Sequence, residues 1–420
     1  MDLRRLDLNS DSVRRDREQI LAAAGLRPET AAETWGLYDN NQLAAVGSRT
    51  GNILKCLAVA PEYQAGKAFD LITAKLLQAI KEDQIGREAD ASSLSAPDRN
   101  EQTEILSLFG QNKRAETLSE SYRDGRKEIW PVPGWDSVFV YTKAASAQAF
   151  SWLGFEILEF VDNKLVLMEK AGKSGGLKGY LDFIRCRSVR CLCPDDPTSD
   201  QITADKYDDC PQVRAAGDSS GTISALVMHA NPFTLGHLYL AELAAAESSL
   251  VHVFVLSEES QDFPAFDRLL LVKEATQHLT NLIVHPTGPY LVSAATFPSY
   301  FLPADEDTTV LQATLDAKIF LHRIAPALRI RRRYLGTEPI SQTTELYNQM
   351  LSEVFGDELE LAIVPRMETK DGRPISASRV RKAYRDDAWQ ELADLVPQAT
   401  LEYLRRHQKA TDTENATEKE

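Results

Sequence analysis

The chain has 420 residues, 43% of them hydrophobic, and carries 62 acidic against 47 basic side chains for a net charge of −15. That length exceeds what one core usually organises, so two domains are the starting expectation. The acidic balance excludes the broad basic footprint of a nucleic-acid binder, although a nucleotide site needs only a few oriented donors. The sequence has no apolar run approaching the roughly 18 residues of a membrane span, and Met1–Ile20 mixes arginines with aspartates, unlike a secretory signal. A cytoplasmic protein without a membrane or nucleic-acid partner is expected.

In chain order, Leu54–Val59 is an apolar run in which Cys56 reads as core, because nothing nearby would lower its pKa. Residues 87–134 are polar and charged and read as an inserted excursion with at most one helix. Residues 172–220 begin Lys173-Ser174-Gly175-Gly176 and end Gly217-Asp218-Ser219-Ser220; this run of turn formers reads as a linker with a short helix near 177–185. Four of the five cysteines, Cys186, Cys191, Cys193 and Cys210, fall in or beside it. Their spacing lacks the paired C-x2-C of a zinc ribbon, so free thiols are expected rather than a metal site.

After the linker the pattern becomes strand–helix alternation. Strands are expected at Ile223–Met228, Leu250–Leu256, Leu282–Val284, Tyr334–Leu335 and Leu359–Val364. Helices are expected at Leu238–Ala245, Phe266–Leu279, 309–322 and 343–355. Such alternation implies right-handed crossovers and a parallel sheet, whose ligands bind beyond the carboxyl ends of its strands. His252, inside an apolar strand, reads as a satisfied core histidine. Residues 408–420 are charged and read as a disordered tail.

Two elements sit where chemistry is expected. The first strand ends in Met228-His229-Ala230-Asn231-Pro232-Phe233-Thr234-Leu235-Gly236-His237, with a helix following at once. Gly236 lets the backbone approach a ligand, and a helix N-terminus favours phosphate. Thr234 and His237 match the (H/T)-x-G-H element of nucleotidylyltransferases. Near the other end, Ile375-Ser376-Ala377-Ser378-Arg379-Val380-Arg381 leads into a helix. Ser376 or Ser378 can cap that helix. Ser378 and Arg381, three apart, share a face and suit phosphate oxygens. This matches the I-S-x-S/T-x-x-R element of the same superfamily. Thr234, His237, Ser378 and Arg381 are therefore the catalytic candidates, with Asn231, Phe233, Gly236 and Ser376 shaping the nucleotide site. Arg268, Gly336 and Glu338 are candidate ATP contacts from neighbouring loops, Glu338 following Gly336 beyond a strand end. Lys273 reads as a solvated face.

Between these elements the chain resembles the citrate lyase ligase family. The matching segments are Ala230–His237, Phe263-Pro264 with Asp267-Arg268, Ser293–Phe301, Asp316–Phe320, Gly336-Thr337-Glu338-Pro339, Tyr347-Asn348 and Ile375–Arg381. Gly51–Gln64, Val140–Lys143, Phe150 and Leu153–Phe155 look like an N-acetyltransferase-like (GNAT) fold. The resemblance implies an α/β protein: a C-terminal Rossmann-like nucleotidylyltransferase parallel sheet preceded by an N-terminal GNAT-like α+β domain. The corresponding boundaries are 1–171, a linker at 172–220, and 221–407. It further implies ATP as substrate, with magnesium bridging its phosphates, and an acid-thiol ligase. That enzyme would acetylate the prosthetic-group thiol of the citrate lyase acyl carrier protein through acetyl-adenylate, using acetate and releasing AMP and pyrophosphate. Rival readings are a cofactor-synthesis nucleotidylyltransferase, a carrier-binding module without catalysis, and an acetyltransferase using the N-terminal domain. The last is weakened because Gln64-Ala65-Gly66-Lys67-Ala68-Phe69 departs from the acetyltransferase glycine loop. A domain that helps recognise the pantetheine-like arm of the carrier is the corresponding expectation. His229 stands where the family would suggest asparagine; facing the nucleotide and packing at the strand end are both open readings.

Overall fold

The computed structural model describes residues 1–93, 132–193, 203–217, 221–260, 262–291, 297–302, 307–337 and 342–417. Most of the polar excursion expected at 87–134 lies outside these, as does Glu338. Two compact units emerge. Unit 1 comprises Met1–Ala96, Pro133–Tyr180 and Ser293–Ile319; unit 2 includes Leu181–Val292 and Phe320–Glu420. Ser293–Ile319, read from the sequence as part of the C-terminal domain, thus clusters with the N-terminal one.

Unit 1 is built on a seven-stranded sheet ordered β1-β2-β3-β4-β5-β7-β6. Its strands are β1 (Asp2–Arg5), β2 (Glu33–Asp39), β3 (Gln42–Thr50), β4 (Ile53–Val59), β5 (Val138–Thr142), β6 (Glu156–Val161) and β7 (Leu165–Lys170). Helices α1 (Asp11–Ala23), α2 (Ala68–Ser93) and α3 (Ala144–Trp152) join them. Burial explains the arrangement. Leu76 and Ile80 of α2 and Phe150 of α3 pack with Leu54, Val138, Val140, Val166 and Met168 in one core cluster, while Ala68 and Ile72 meet Leu37, Ala45 and Val59 in a second. All neighbours pair antiparallel except β4 and β5, which are parallel.

The expected linker carries more structure than its turn formers suggested. Helix α4 spans Gly176–Leu192, longer than 177–185, because Tyr180 and Ile184 on one face are fully buried and Val189 follows them inward. No disulfide joins the cysteines among the described residues, Cys193 Sγ and Cys210 Sγ lying 3.6 Å apart, and Cys56 is buried as expected. No group of His, Cys, Asp and Glu among the described residues could hold a metal ion.

Unit 2 has the expected parallel sheet. Strands β8 (Ile223–Met228), β9 (Leu250–Val255), β10 (Leu282–Pro286), β11 (Arg332–Gly336) and β12 (Glu360–Val364) are ordered β10-β9-β8-β11-β12, every pair parallel. Helices α5 (Leu235–Glu247), α6 (Ala265–Ala275), α7 (Thr308–Ile319, assigned to unit 1), α8 (Gln342–Phe355), α9 (Ala377–Arg385) and α10 (Gln398–Thr417) complete the order. Helix α6 stops short of the expected Leu279, since Thr276 Oγ1 donates back to Val272 O at 2.7 Å and Leu279 N folds onto Thr276 O. Helix α10 runs into the stretch expected as a tail. His252 is the satisfied core histidine anticipated: it is fully buried, with Nδ1 3.0 Å from His285 Nε2 and Nε2 3.2 Å from the Tyr207 hydroxyl. No helix among the described residues is long and apolar enough to cross a membrane.

Candidate active site

The central strand β8 is followed in sequence by β9 and β10 on one side of the sheet, and later by β11 and β12 on the other. The loops leaving β8 and β11 therefore part company at their carboxyl ends, the switch point at which open parallel sheets generally offer a ligand crevice. Both sequence elements meet there.

The first is fixed by its own hydrogen bonds. After β8, Ala230 adopts φ 51° and the Asn231–Pro232 peptide is cis. Thr234 is the N-cap of α5. Its N–H donates to His237 Nδ1 at 3.0 Å, and its hydroxyl lies 2.9 Å from the same nitrogen while accepting the His237 N–H at 3.3 Å. A ring nitrogen that accepts a main-chain N–H carries no proton, so the neutral imidazole holds its proton on Nε2. Burial first, then the charges of Arg366 and His229, lowers the His237 pKa to about 4. At neutral pH this side chain is a fixed, uncharged N–H donor at a helix start. The buried Phe233 ring stacks on it, with centroids 5.5 Å apart and planes 17° from parallel.

The second element closes over the first. Ser376, not Ser378, caps α9, accepting from Arg379 N at 3.2 Å. Ser378 is left in the first turn, where its hydroxyl accepts from Arg381 Nη2 at 3.2 Å. Arg381 Nη1 reaches across 150 residues of sequence to Asn231 O at 2.5 Å. A Cβ added at Gly236 would meet Ile375 O at 3.6 Å, an ordinary contact, so the protein's own packing does not require glycine there. Asn231 donates to Ser260 Oγ at 2.8 Å, while its buried Oδ1 has no partner.

Other candidates are placed differently. Arg268 is fully buried and donates to three carbonyls: Phe263 O at 3.1 Å, His229 O at 2.6 Å, and Glu258 O. It braces the loops after β8 and β9. Gly336 ends β11, its carbonyl accepting from Asn348 Nδ2 at 3.4 Å. Lys273 is exposed. His229 is exposed beyond the strand end, and partial dehydration, followed by the charges of Arg268 and Arg381, brings its pKa to about 4.

Sequence reasoning missed three participants. Asp262 Oδ2 lies 3.3 Å from Arg381 Nε. Thr337 O accepts from Arg366 Nε at 2.7 Å, and Thr337 Oγ1 accepts the Arg366 N–H at 3.2 Å, so the end of β11 holds a guanidinium whose charge His237 feels. Their signal was position alone: each follows the carboxyl end of a parallel strand.

Comparison with known proteins agrees with this arrangement. Residues 223–404 match the family model of the citrate lyase ligase C-terminal domain. Over 409 residues the chain is 31% identical to the citrate (pro-3S)-lyase ligase of Klebsiella pneumoniae, covering 96% of both chains. It is 34% identical over 273 residues to that of Escherichia coli, covering 64% of this chain and 68% of the other. It is 28% identical over 378 residues to that of Haemophilus influenzae, covering 88% of each. With near-complete coverage at this identity, the chain belongs to the citrate lyase ligase family.

Proposed function

We propose that the chain uses ATP to acetylate the prosthetic-group thiol of the citrate lyase acyl carrier protein, through an enzyme-bound acetyl-adenylate. The observation that carries this reading is the neutral Nε2–H donor of His237, held at a helix start by Thr234, in the loop whose Asn231 carbonyl Arg381 grips. A carboxylate oxygen of acetate attacks the α-phosphorus of ATP, the bond to the bridging oxygen breaks in line, and pyrophosphate leaves. Negative charge grows on the leaving group and the equatorial oxygens, so donors already aimed there lower the barrier without reorganising. Arg381 supplies the charge, and Ser378 a hydroxyl. Thr234 and Phe233 act through His237, fixing its tautomer and ring plane, while Arg268 holds the floor of the loop. In the second step the carrier thiol attacks the acyl carbon, and AMP departs.

The donors here are a guanidinium, a hydroxyl and a neutral imidazole N–H, and Asp262 faces Arg381. Such a set suits phosphate better than a metal cage, so magnesium would be carried on the ATP phosphates with its waters. Acetate-dependent exchange of labelled pyrophosphate into ATP tests the first step. Exchange that needs acetate and collapses in His237→Ala supports the reading. Exchange that is absent with acetate and other short acids sinks it.

A further inference from the structure

The parallel neighbours β4 and β5 pair only at Ile53↔Phe139 and Leu54↔Val140. Two residues further on, Cys56 adopts φ 52°, the left-handed conformation of a bulge, which bends one strand away from its neighbour. Beyond that point the two strands share no ladder, although the main chain there is buried and needs partners. Residues 297–302 provide them. The Tyr300 hydroxyl donates to Tyr141 O at 2.7 Å and also hydrogen-bonds the Cys56 main chain. Tyr300, Phe301 and Leu302 are all buried, and Phe297 meets Tyr141 edge-on at 5.5 Å.

The backbone of this segment is gripped as well. Arg27 N donates to Tyr300 O at 2.7 Å, and Arg27 Nη2 to Ser299 O at 2.9 Å. Glu29 Oε2 accepts both the Ser299 and the Tyr300 N–H at 3.0 Å, while Lys55 Nζ holds Glu29 Oε1 at 2.7 Å. A carboxylate receiving two adjacent amides, with its other oxygen on a buried lysine, is a built receptor. The loop after β4 adds a second, independent observation. Three of its amides, Tyr63 N to Ala60 O, Gln64 N to Pro61 O and Gly66 N to Tyr63 O, are taken up in tight turns and are not open to a phosphate.

We propose that the opening between β4 and β5 is a ligand cleft occupied by the chain's own Phe297–Leu302, so that unit 1 serves as a receptor for this segment and not as an acyl-coenzyme A site. The clasp fixes Phe297–Leu302 within unit 1.

Hydrogen exchange on the full chain, with and without millimolar acetyl-coenzyme A, tests this. The Ser299 and Tyr300 amides should be protected, and Glu29→Ala should speed their exchange about tenfold or more, because charge-assisted bonds are lost. Tyr300→Phe keeps the ring in place and should loosen Cys56–Ala58 alone, which guards against a variant that merely unfolds. Acetyl-coenzyme A should leave 53–59, 138–142 and 297–302 unchanged; protection appearing only within 223–404 upholds the closed cleft. Protection gained at 53–59 and 138–142, displacement of 297–302, or no response of Ser299 and Tyr300 to Glu29→Ala would overturn it.

Discussion

Each unit contains a strand that runs through a glycine-bearing loop into a helix, β4 into α2 and β8 into α5, yet the two loops hold their amides differently. After β4 the amides of Tyr63, Gln64 and Gly66 close small turns on carbonyls a few residues back. After β8 the Thr234 N–H is satisfied by an imidazole, which leaves that ring's proton on Nε2. A side chain at Gly236 beside it would meet protein only at ordinary contact distance. A glycine and a helix start are permissive in both loops, and the difference lies in which groups take the amides.

That contrast can be broken by substitution. The largest effect expected is from His237→Ala, which removes a donor aimed at developing charge and should slow acetate-dependent pyrophosphate exchange by about 10²–10³-fold. An unchanged rate would move the chemistry elsewhere. Gly236→Ala comes next. The fold should tolerate it, since the nearest protein atom is 3.6 Å from the added carbon, but ATP positioning should suffer by up to about 10²-fold. Loss of melting temperature together with activity would show that the glycine is structural. Thr234→Val should cost about tenfold, acting through the ring it orients, and should shift the pH–rate profile. A loss equal to that of His237→Ala at unchanged pH dependence would point to direct contact instead.

Acid sharpens the comparison further, because all seven histidines lie at or beyond residue 229 and within the bounds of unit 2. Burial lowers His237 to about 4 and His252 to about 3, and pushes His285 down as well, through burial, then His252 and Arg187. For a base depressed on folding, the unfolded chain binds protons first as pH falls. Stability from these groups is complete above about 6.5 and declines from there toward about 4. Denaturant melts between pH 7.5 and 5, read by hydrogen exchange, should show unit 2 weakening while these groups leave unit 1 unaffected; equal loss in both would refute the assignment. The smallest effect is expected from Gly66→Ala, where the added carbon would sit 3.4 Å from Tyr63 O. Stability should stay within about 0.5 kcal/mol and exchange activity should be unaltered.

Much of unit 2 was legible because periodicity and motif chemistry agree there. The β8 run is apolar except for Ser224 and becomes a strand buried on both faces. Ser378 and Arg381 share a face by helical spacing and do meet. Arg268 shows the limit. A cation beside a candidate phosphate site reads from sequence as a ligand contact, whereas the fold buries it under three carbonyls. Ser376 and Ser378 were interchangeable caps on paper, and the direction in which the chain enters α9 separates their roles.

The sequence alone determined the parallel sheet, its crossovers and the residue types at the switch point, since each follows from local pattern and short spacing. Only the tertiary structure decided the tautomer of His237, the reach of Arg381 to Asn231, the pairing of Arg381 with Asp262, and the capture of Phe297–Leu302 by unit 1. Apart from the Thr234–His237 contact, which burial completes, these join residues more than a hundred positions apart. Their energies depend on burial and direction, which no local pattern encodes, because the same arginine or tyrosine is a surface group until the fold places a carbonyl before it.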